Sequence, residues 1–326
     1  MIRFATPEDT EKLMKFVSVN WRAEHILARD KKFFCYFLKD GENLNRVISE
    51  NDGVIDAVIG FIPYGRKHRD IINCMWKANH DSGDPAIGLK LLNYLMKNAD
   101  IRIMSSPNIN PQTIPIYQYL GIHTGKMKHW YRLNPNVNYK IAVIKNFDIP
   151  PVKNSSMHFK EFSTMDELTT SMDMKKYKAS NPKPYKENWF IRHRYFDHPI
   201  YKYYCFGVAQ KDNSVNAVFF YRVQECNGSQ VVRLVDCIGD FNDFAQIGTI
   251  LDELLKRYNA EFVEIYAAGL DDELFKQAGL TDAETTNNII PHYFTPYAAR
   301  NIEIYYFSTD PKTVLFNGDG DTDRPS

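Results

Sequence analysis

Two stretches of the chain carry residue types at spacings that suit chemistry. The first is Gly83-Asp-Pro-Ala86-Ile87-Gly88, a turn that opens a helix whose Leu89, Leu91, Leu92, Leu95 and Met96 are expected to pack on the sheet. A helix start leaves amide donors unpaired and carries partial positive charge, so it suits a pyrophosphate. Gly88 would let backbone approach such a ligand, and Ala86 is small enough to serve, although Pro85 contributes no amide. The same residues also fit an ordinary strand-to-helix turn. The second stretch is Asn110-Pro-Gln-Thr-Ile-Pro-Ile-Tyr117-Gln-Tyr-Leu-Gly121-Ile122, a short helix closed by Gly121. A phenol at Tyr117 could serve as a general acid. It is equally an aromatic for the buried face of that helix, next to Ile114 and Leu120. A proton acceptor could come from His80 or Asp81, after the strand that begins at Ile71, or from His25 beside Glu24.

The elements that must position these residues occur twice. Phe4-Ala-Thr6-Pro-Glu-Asp9 runs from strand into capped helix, and Phe162-Ser163-Thr-Met-Asp166 repeats the pattern. A hairpin over 47–61, turning at Asp52-Gly53, is matched by 206–220, turning at Asp212-Asn213. The separation from Ala57 to Gly88 equals that from Ala217 to Gly248 (88 − 57 = 248 − 217), and both glycines follow an isoleucine and open a helix. Strands follow at 101–104 and 262–266, and Tyr117-x-x-x-Gly121 is echoed by Phe275-x-x-x-Gly279. The order within each half is strand, helix, helix, hairpin, strand, helix, strand, helix, two strands. Such agreement favours a tandem duplication, with a linker at 147–156 marked by Pro150-Pro151. The expected divisions are 1–148, 157–312 and an acidic tail, 313–326.

The loop, the later 110–122 segment and this order resemble the GNAT superfamily of acetyl-CoA-dependent N-acyltransferases. Their cofactor loop reads Q/R-x-x-G-x-G/A and their later motif N-x-x-A-x-x-L-Y-x-x-x-G-F. The second fits well here. The first departs from it, with Gly83 for Gln or Arg and Ala86 for the first Gly. The resemblance implies an α/β fold, an α+β mixed sheet splayed to admit the cofactor, in two tandem domains. It implies an acetyl-CoA seat at Gly83, Ala86, Ile87 and Gly88, with Asn110 near the pantetheine arm. Tyr117 would protonate the departing thiolate while His80 or His25 relays the amine proton. The second half lacks the acid, because Phe275 replaces the tyrosine. Its loop, Asp243-Phe-Ala-Gln246-Ile-Gly248, adds a carboxylate where phosphate would lie. The implied reaction is acetyl transfer to a primary amine on a small molecule. The favoured acceptor is an amino sugar, including the nucleotide-linked ones of a surface-polysaccharide pathway. The alternatives are a Fem-type transferase that uses aminoacyl-tRNA and a non-catalytic protein of the same fold.

Bulk properties narrow the setting. The 326 residues hold 40 lysines and arginines against 40 aspartates and glutamates, so no global field favours nucleic acid or anionic membrane. Five scattered cysteines without C-x-x-C pairs argue against a disulfide framework or zinc site and for a reducing compartment. No apolar run is long enough to span a bilayer, and a cytoplasmic setting is expected, without a metal. Oligomeric state is not legible. Two segments stay open. The stretch 188–199 is either a sugar- or nucleotide-stacking surface or an amphipathic helix with its aromatics in the core. The tail 317–326 lacks the spacing of a calcium loop. It is read as solvated, or as folding back so that its carboxylates hold a cationic substrate.

Overall fold

A computed structural model describes residues 1–66, 69–79, 83–153, 158–320 and 323–325. The chain forms two compact units, residues 1–106 with 324–326, and residues 107–323.

Unit 1 is built on five strands, β1 (Ile2–Phe4), β2 (Arg46–Asn51), β3 (Val54–Pro63), β4 (Asp70–Ala78) and β5 (Ile103–Pro107), adjacent in that order. The first four are antiparallel, and β4 and β5 are parallel. Asp52 and Gly53, both at positive φ, make the β2–β3 turn, the conformation that such a hairpin requires. Thr6 and Asp9 form a reciprocal cap ahead of α1 (Thr10–Asn20). With α2 (Ile26–Arg29) and α3 (Lys31–Leu38), α1 packs Leu13, Phe16, Leu27, Phe33 and Phe34 over Ile48 and Val58 of the sheet. Helix α4 (Ile87–Asn98) buries Ile87, Leu91, Leu92 and Leu95, whereas Leu89 is half-buried and Met96, expected to pack with them, is exposed.

In unit 2, α5 (Ile114–Tyr119) precedes β6 (His123–Lys126) and β7 (Lys128–Leu133). The second half supplies β8 (Phe159–Phe162), α6 (Met165–Ser171), α7 (Met174–Ala179), α8 (Asn188–Ile191), β9 (Tyr204–Ala209), β10 (Val215–Cys226), β11 (Ser229–Gly239), α9 (Gly248–Tyr258), β12 (Phe262–Ala268), α10 (Asp272–Gln277), β13 (Thr281–Asp282), β14 (Tyr305–Ser308) and β15 (Leu315–Phe316). Its sheet has the order β8-β9-β10-β11-β12-β7-β13. The first four strands are antiparallel and β11–β12 parallel, as in unit 1. Phe219, Trp130, Ile250, Leu254 and Phe275 belong to its main core. The cap ahead of α6 is Thr164 with Glu167, one residue later than the expected Ser163–Asp166 pair; Asp166 instead pairs with Arg192 at 2.7 Å.

The two halves exchange their last strands. β7 closes the first half in sequence, yet it lies between β12 and β13 of the second. Reciprocally, β14 pairs antiparallel with β6. The registers match: Phe307 faces Thr124, and Trp130 faces Asp282. Hydrophobic periodicity identifies a strand but not its neighbour, which is why sequence shows the strands and not the exchange.

Candidate functional site

In unit 1, β4 and β5 pair only from Asp70↔Ile103 to Ile72↔Ser105. Beyond that point no described strand pairs with β4 on that side. Met75, at φ +49°, marks a bulge there: Val58 pairs with Lys77 and Gly60 with Cys74, so Met75 and Trp76 together oppose Ile59. A bulge of this kind re-aims backbone donors away from the ladder. The turn after β4 comes next. Gly83 has φ +69°. Asp84 fills the helix start: its carboxylate accepts from the Ala86 amide at 3.0 Å and from Lys90 Nζ at 2.6 Å, and its carbonyl accepts from the Ile87 amide at 3.1 Å. The Lys90 bond, then the Ala86 amide, hold the Asp84 carboxyl below its usual range. An anion therefore already sits at this helix start, and it belongs to the chain. Gly88 makes room for an indole. A Cβ there would lie 3.1 Å from Trp76 Nε1, which donates to the Gly88 carbonyl at 3.0 Å.

His25 lies in the same unit, buried, at the start of α2. Its Nδ1 is 3.2 Å from the Leu27 amide and its Nε2 3.0 Å from Arg324 Nη2. Burial, then Arg324, Arg22, Arg29 and Arg46, bring it down to about 4. At that basicity it accepts an ammonium proton poorly. His80 and Asp81 lie outside the described residues.

Asn110 and Tyr117 belong to unit 2. The Asn110 side chain accepts from the Gln112 amide at 3.0 Å and so caps the turn leading into α5. Tyr117 is 1% exposed, with its ring stacked on Phe307 of β14 at 4.2 Å. Burial pushes its phenol well above the ordinary value, which keeps the proton on it. Phe275 occupies the corresponding place, stacked on Trp130 of β7 at 4.9 Å. Each ring thus rests on the strand contributed by the other half. The six expected positions in the loop and the 110–122 segment divide accordingly: Gly83, Ala86, Ile87 and Gly88 in unit 1, Asn110 and Tyr117 in unit 2.

In the second half the same opening is filled. β11 and β12 pair only at Val232↔Val263 and Arg233↔Glu264. Further along, β15 pairs with β12 at Ala267↔Phe316 and Ala268↔Leu315. A bulge in β11 lies at Val235, since Phe220 pairs with Asp236 and Tyr221 with Leu234. Val235 is as far from Met75 along the chain as Ala217 is from Ala57 (235 − 75 = 217 − 57). Among the described residues of the tail after β15, Asp319 and Asp323 are buried rather than solvated, and they hold the protein's own cations. Asp319 pairs with Lys186 at 2.7 Å, and Lys186 with Asp236 at 2.6 Å. Asp323 pairs with Arg222 at 2.5 Å and accepts from the Tyr203 hydroxyl at 2.8 Å. Burial alone would raise Asp323, yet Arg222 and Arg194 hold it well below the usual range. The second helix start has no vacancy for a ligand at Gly248, where a Cβ would lie 2.6 Å from the Ala278 carbonyl. Asp243 beside it is pushed up to about 6 by burial and then by Asp240. The segment 188–199 takes the core-facing alternative: Phe190, Ile191 and Tyr195 are buried, and Arg194 Nη2 donates to the Asp323 carbonyl at 2.7 Å.

These two sheets have counterparts among solved structures. The chain is similar to a GCN5-related N-acetyltransferase from Anabaena variabilis, with TM-score 0.60 and 10% identity over 94% of this chain and 72% of that one. The fold is that of the GCN5-related N-acetyltransferases. A conserved protein of unknown function from Enterococcus faecalis matches with TM-score 0.59 and 11% identity, over 94% of this chain and 71% of that one. A candidate acetyltransferase from Pyrococcus horikoshii matches with 0.54 and 11%, over 100% and 95%. At such identities the likeness is one of fold. Neither a protein-family model nor a curated protein matches the sequence. Among the described residues no helix is long and apolar enough to cross a membrane.

Within this acetyltransferase fold, two features escaped sequence reasoning. Asp84 was legible as a residue but not as the carboxylate that takes the Ala86 amide ahead of α4. Arg46 stands in an apolar strand, Leu44-Asn-Arg46-Val-Ile, and only the cross-strand register places it over Gly60 and beside Cys74. Its guanidinium Nη1 is 3.2 Å from the Asn45 carbonyl and 3.3 Å from Cys74 Sγ.

Proposed function

We propose that the chain is an acyl-CoA-dependent N-acyltransferase whose first half carries the reaction. The observation that carries this reading is the contrast between the two openings. β4 and β5 diverge beyond a bulge with no described strand filling the gap, whereas β15 fills the same gap between β11 and β12. A divergent parallel pair leaves main-chain groups that can hydrogen-bond an extended pantetheine arm, as a further strand would. The halves 1–148 and 157–312 are read as a tandem duplication, and the shared bulge offset and reciprocal strand exchange support it. From the tail 313–326, β15 and the Asp319 and Asp323 carboxylates then serve the second half, which would support the first without a cofactor of its own.

The reaction is acetyl transfer from acetyl-CoA to a primary amine, with an amino sugar, free or nucleotide-linked, as acceptor class. The amine nitrogen attacks the thioester carbonyl, the carbon–sulfur bond breaks, and amide and free thiol result. Amides beyond the β4 bulge would stabilise the oxyanion. Tyr117, kept protonated by burial, would give its proton to the departing thiolate. The base is unassigned: His25 is too weakly basic, which turns attention to His80 or water. The phosphate would compete with the Asp84 carboxylate for the Ala86 amide. Five free cysteines suit a reducing compartment such as the cytoplasm.

The test is thermal unfolding with and without acetyl-CoA, on wild type and Gly88→Glu, followed by thiol release with a panel of amines. Ligand at a hundred times its dissociation constant adds about 2.7 kcal/mol to the binding state. A rise in wild type that the variant lacks supports the seat. No rise at millimolar acetyl-CoA would sink the acyl-CoA reading and leave the aminoacyl-tRNA-dependent and non-catalytic alternatives.

A further inference from the structure

Five arginines are buried among the described residues: Arg46, Arg132, Arg194, Arg222 and Arg233. Four of them meet a carboxylate, Arg132 on Asp252, Arg194 and Arg222 on Asp323, and Arg233 on Glu264. Arg46 is the exception. It is 1% exposed, no described carboxylate pairs with it, and its Nη2 has no hydrogen-bond partner. Burying a guanidinium without an anion is costly, because hydration is lost and no Coulombic attraction replaces it. The sheet is nevertheless shaped around it. Gly60 lies opposite Arg46 on β3, and a Cβ there would fall 1.6 Å from Nη1.

A second buried polar group without a partner lies on the same face. The Ser105 Oγ is fully buried and makes no hydrogen bond. Ser105 pairs with Ile72, and Cys74 stands two positions further along β4, opposite Gly60. Side chains alternate along a strand, so Arg46, Gly60, Cys74, Ile72 and Ser105 share one side of the sheet. That is where β4 leaves β5. Positive charge gathers nearby: after burial, the groups that depress His25 are Arg324, Arg22, Arg29 and Arg46.

We propose that Arg46 and Ser105 form an anion subsite for the acceptor, holding a carboxylate or phosphate group that the amine-bearing molecule carries. A planar guanidinium fork suits either anion, and a hydroxyl adds a further donor. The proposal rests on the acyltransferase reading for the word acceptor, but not for the anion.

The experiment has a binding arm and a turnover arm. In the first, thermal unfolding is followed in sodium phosphate, sodium acetate and sodium chloride at matched ionic strength, for wild type, Arg46→Gln, Arg46→Lys and Ser105→Ala. The expected result is a rise in Tm with phosphate or acetate over chloride in wild type, reduced in Ser105→Ala and Arg46→Lys and absent in Arg46→Gln. Should Arg46→Gln fail to fold, Arg46→Lys and Ser105→Ala carry the comparison. In the second arm, acetyl transfer is measured to glucosamine, glucosamine 6-phosphate and 2-amino-2-deoxyglucuronate, which separates phosphate from carboxylate. Loss of Arg46 should lower kcat/KM for the favoured anionic amine about 10- to 100-fold more than for the neutral amine. An equal fall for all three, expressed in kcat, would assign Arg46 to the reacting carbonyl and overturn the subsite. So would a wild type indifferent to every anion. An Arg46-dependent rise in Tm with no transfer to any amine would leave the subsite standing and sink the enzyme reading alone.

Discussion

Replacing Lys186 by Met removes the single cation between two fully buried carboxylates, Asp236 at 2.6 Å and Asp319 at 2.7 Å. Asp236 also accepts from the Tyr195 hydroxyl at 2.6 Å and the Cys237 amide at 2.8 Å, and Asp319 from the Phe316 amide at 2.8 Å. Breaking a buried pair by removing one partner costs about 3–5 kcal/mol, and here two anions lose the same partner. The cost depends on pH. Burial, opposed by Lys186 and reinforced by Asp319, already pushes Asp236 up to about 6 in the native protein. A carboxyl raised above its unfolded value binds protons more tightly when folded, so its stabilisation is present below about pH 4 and lost as pH rises through 6. Without Lys186 the Asp236 carboxyl rises further, and its protonation relieves the repulsion from Asp319. Urea unfolding at pH 7.5 and pH 5.0 should therefore show Lys186→Met losing about 3–5 kcal/mol at the higher pH and clearly less at the lower. A loss under about 1 kcal/mol at pH 7.5, or one equal at both pH values, would refute this account of the triad.

Three other changes test separate parts of the structure. Tyr117→Phe keeps the stack on Phe307 and removes the hydroxyl, so turnover should fall by about tenfold or more, on the order expected for losing a general acid, while acetyl-CoA affinity stays within about twofold of wild type; calorimetry beside steady-state kinetics checks it. Asp84→Asn removes the anion at the start of α4 and releases Lys90, so acetyl-CoA should bind about two- to fivefold more tightly by titration. Gly60→Ala drives a methyl group into Arg46 and should cost about 1–3 kcal/mol in thermal unfolding.

Much of the scaffold is legible in local residue patterns. Asp52-Gly53 specifies its hairpin because both positions need positive φ, and Ile87-Gly88 and Ile247-Gly248 each begin a helix. Gly121 and Gly279 end theirs at φ +72° and +71°. These signals act over a few residues, so they survive without knowledge of the fold. What was not legible is long-range. Nothing in the sequence of β7 indicates that its neighbours are β12 and β13. The tail reads as solvated because the cations that Asp319 and Asp323 meet, Lys186 and Arg222, lie far upstream. In the candidate site, Gly88 drew attention as a ligand contact, and its structural neighbour is Trp76. Arg46 drew none, because an arginine in a strand looks ordinary until its partners are counted.

The exchanged strands set a timetable for the nascent chain. His123 finds its partner at Ser308, with more than half of the chain synthesised in between. At ribosomal speeds, that leaves β6 without its neighbour for roughly 10–40 s. Lys128 likewise waits for Ala267. An open edge is a template for mispairing, and β6 limits that risk by being four residues long with a basic residue at each end, His123 and Lys126. The same arrangement lets the β14 segment of a second nascent chain pair with β6 in trans, forming a strand-swapped dimer. Crowded polysomes and high expression temperature should therefore favour swapped oligomers over the monomeric arrangement, and slower, sparser synthesis should favour pairing within one chain.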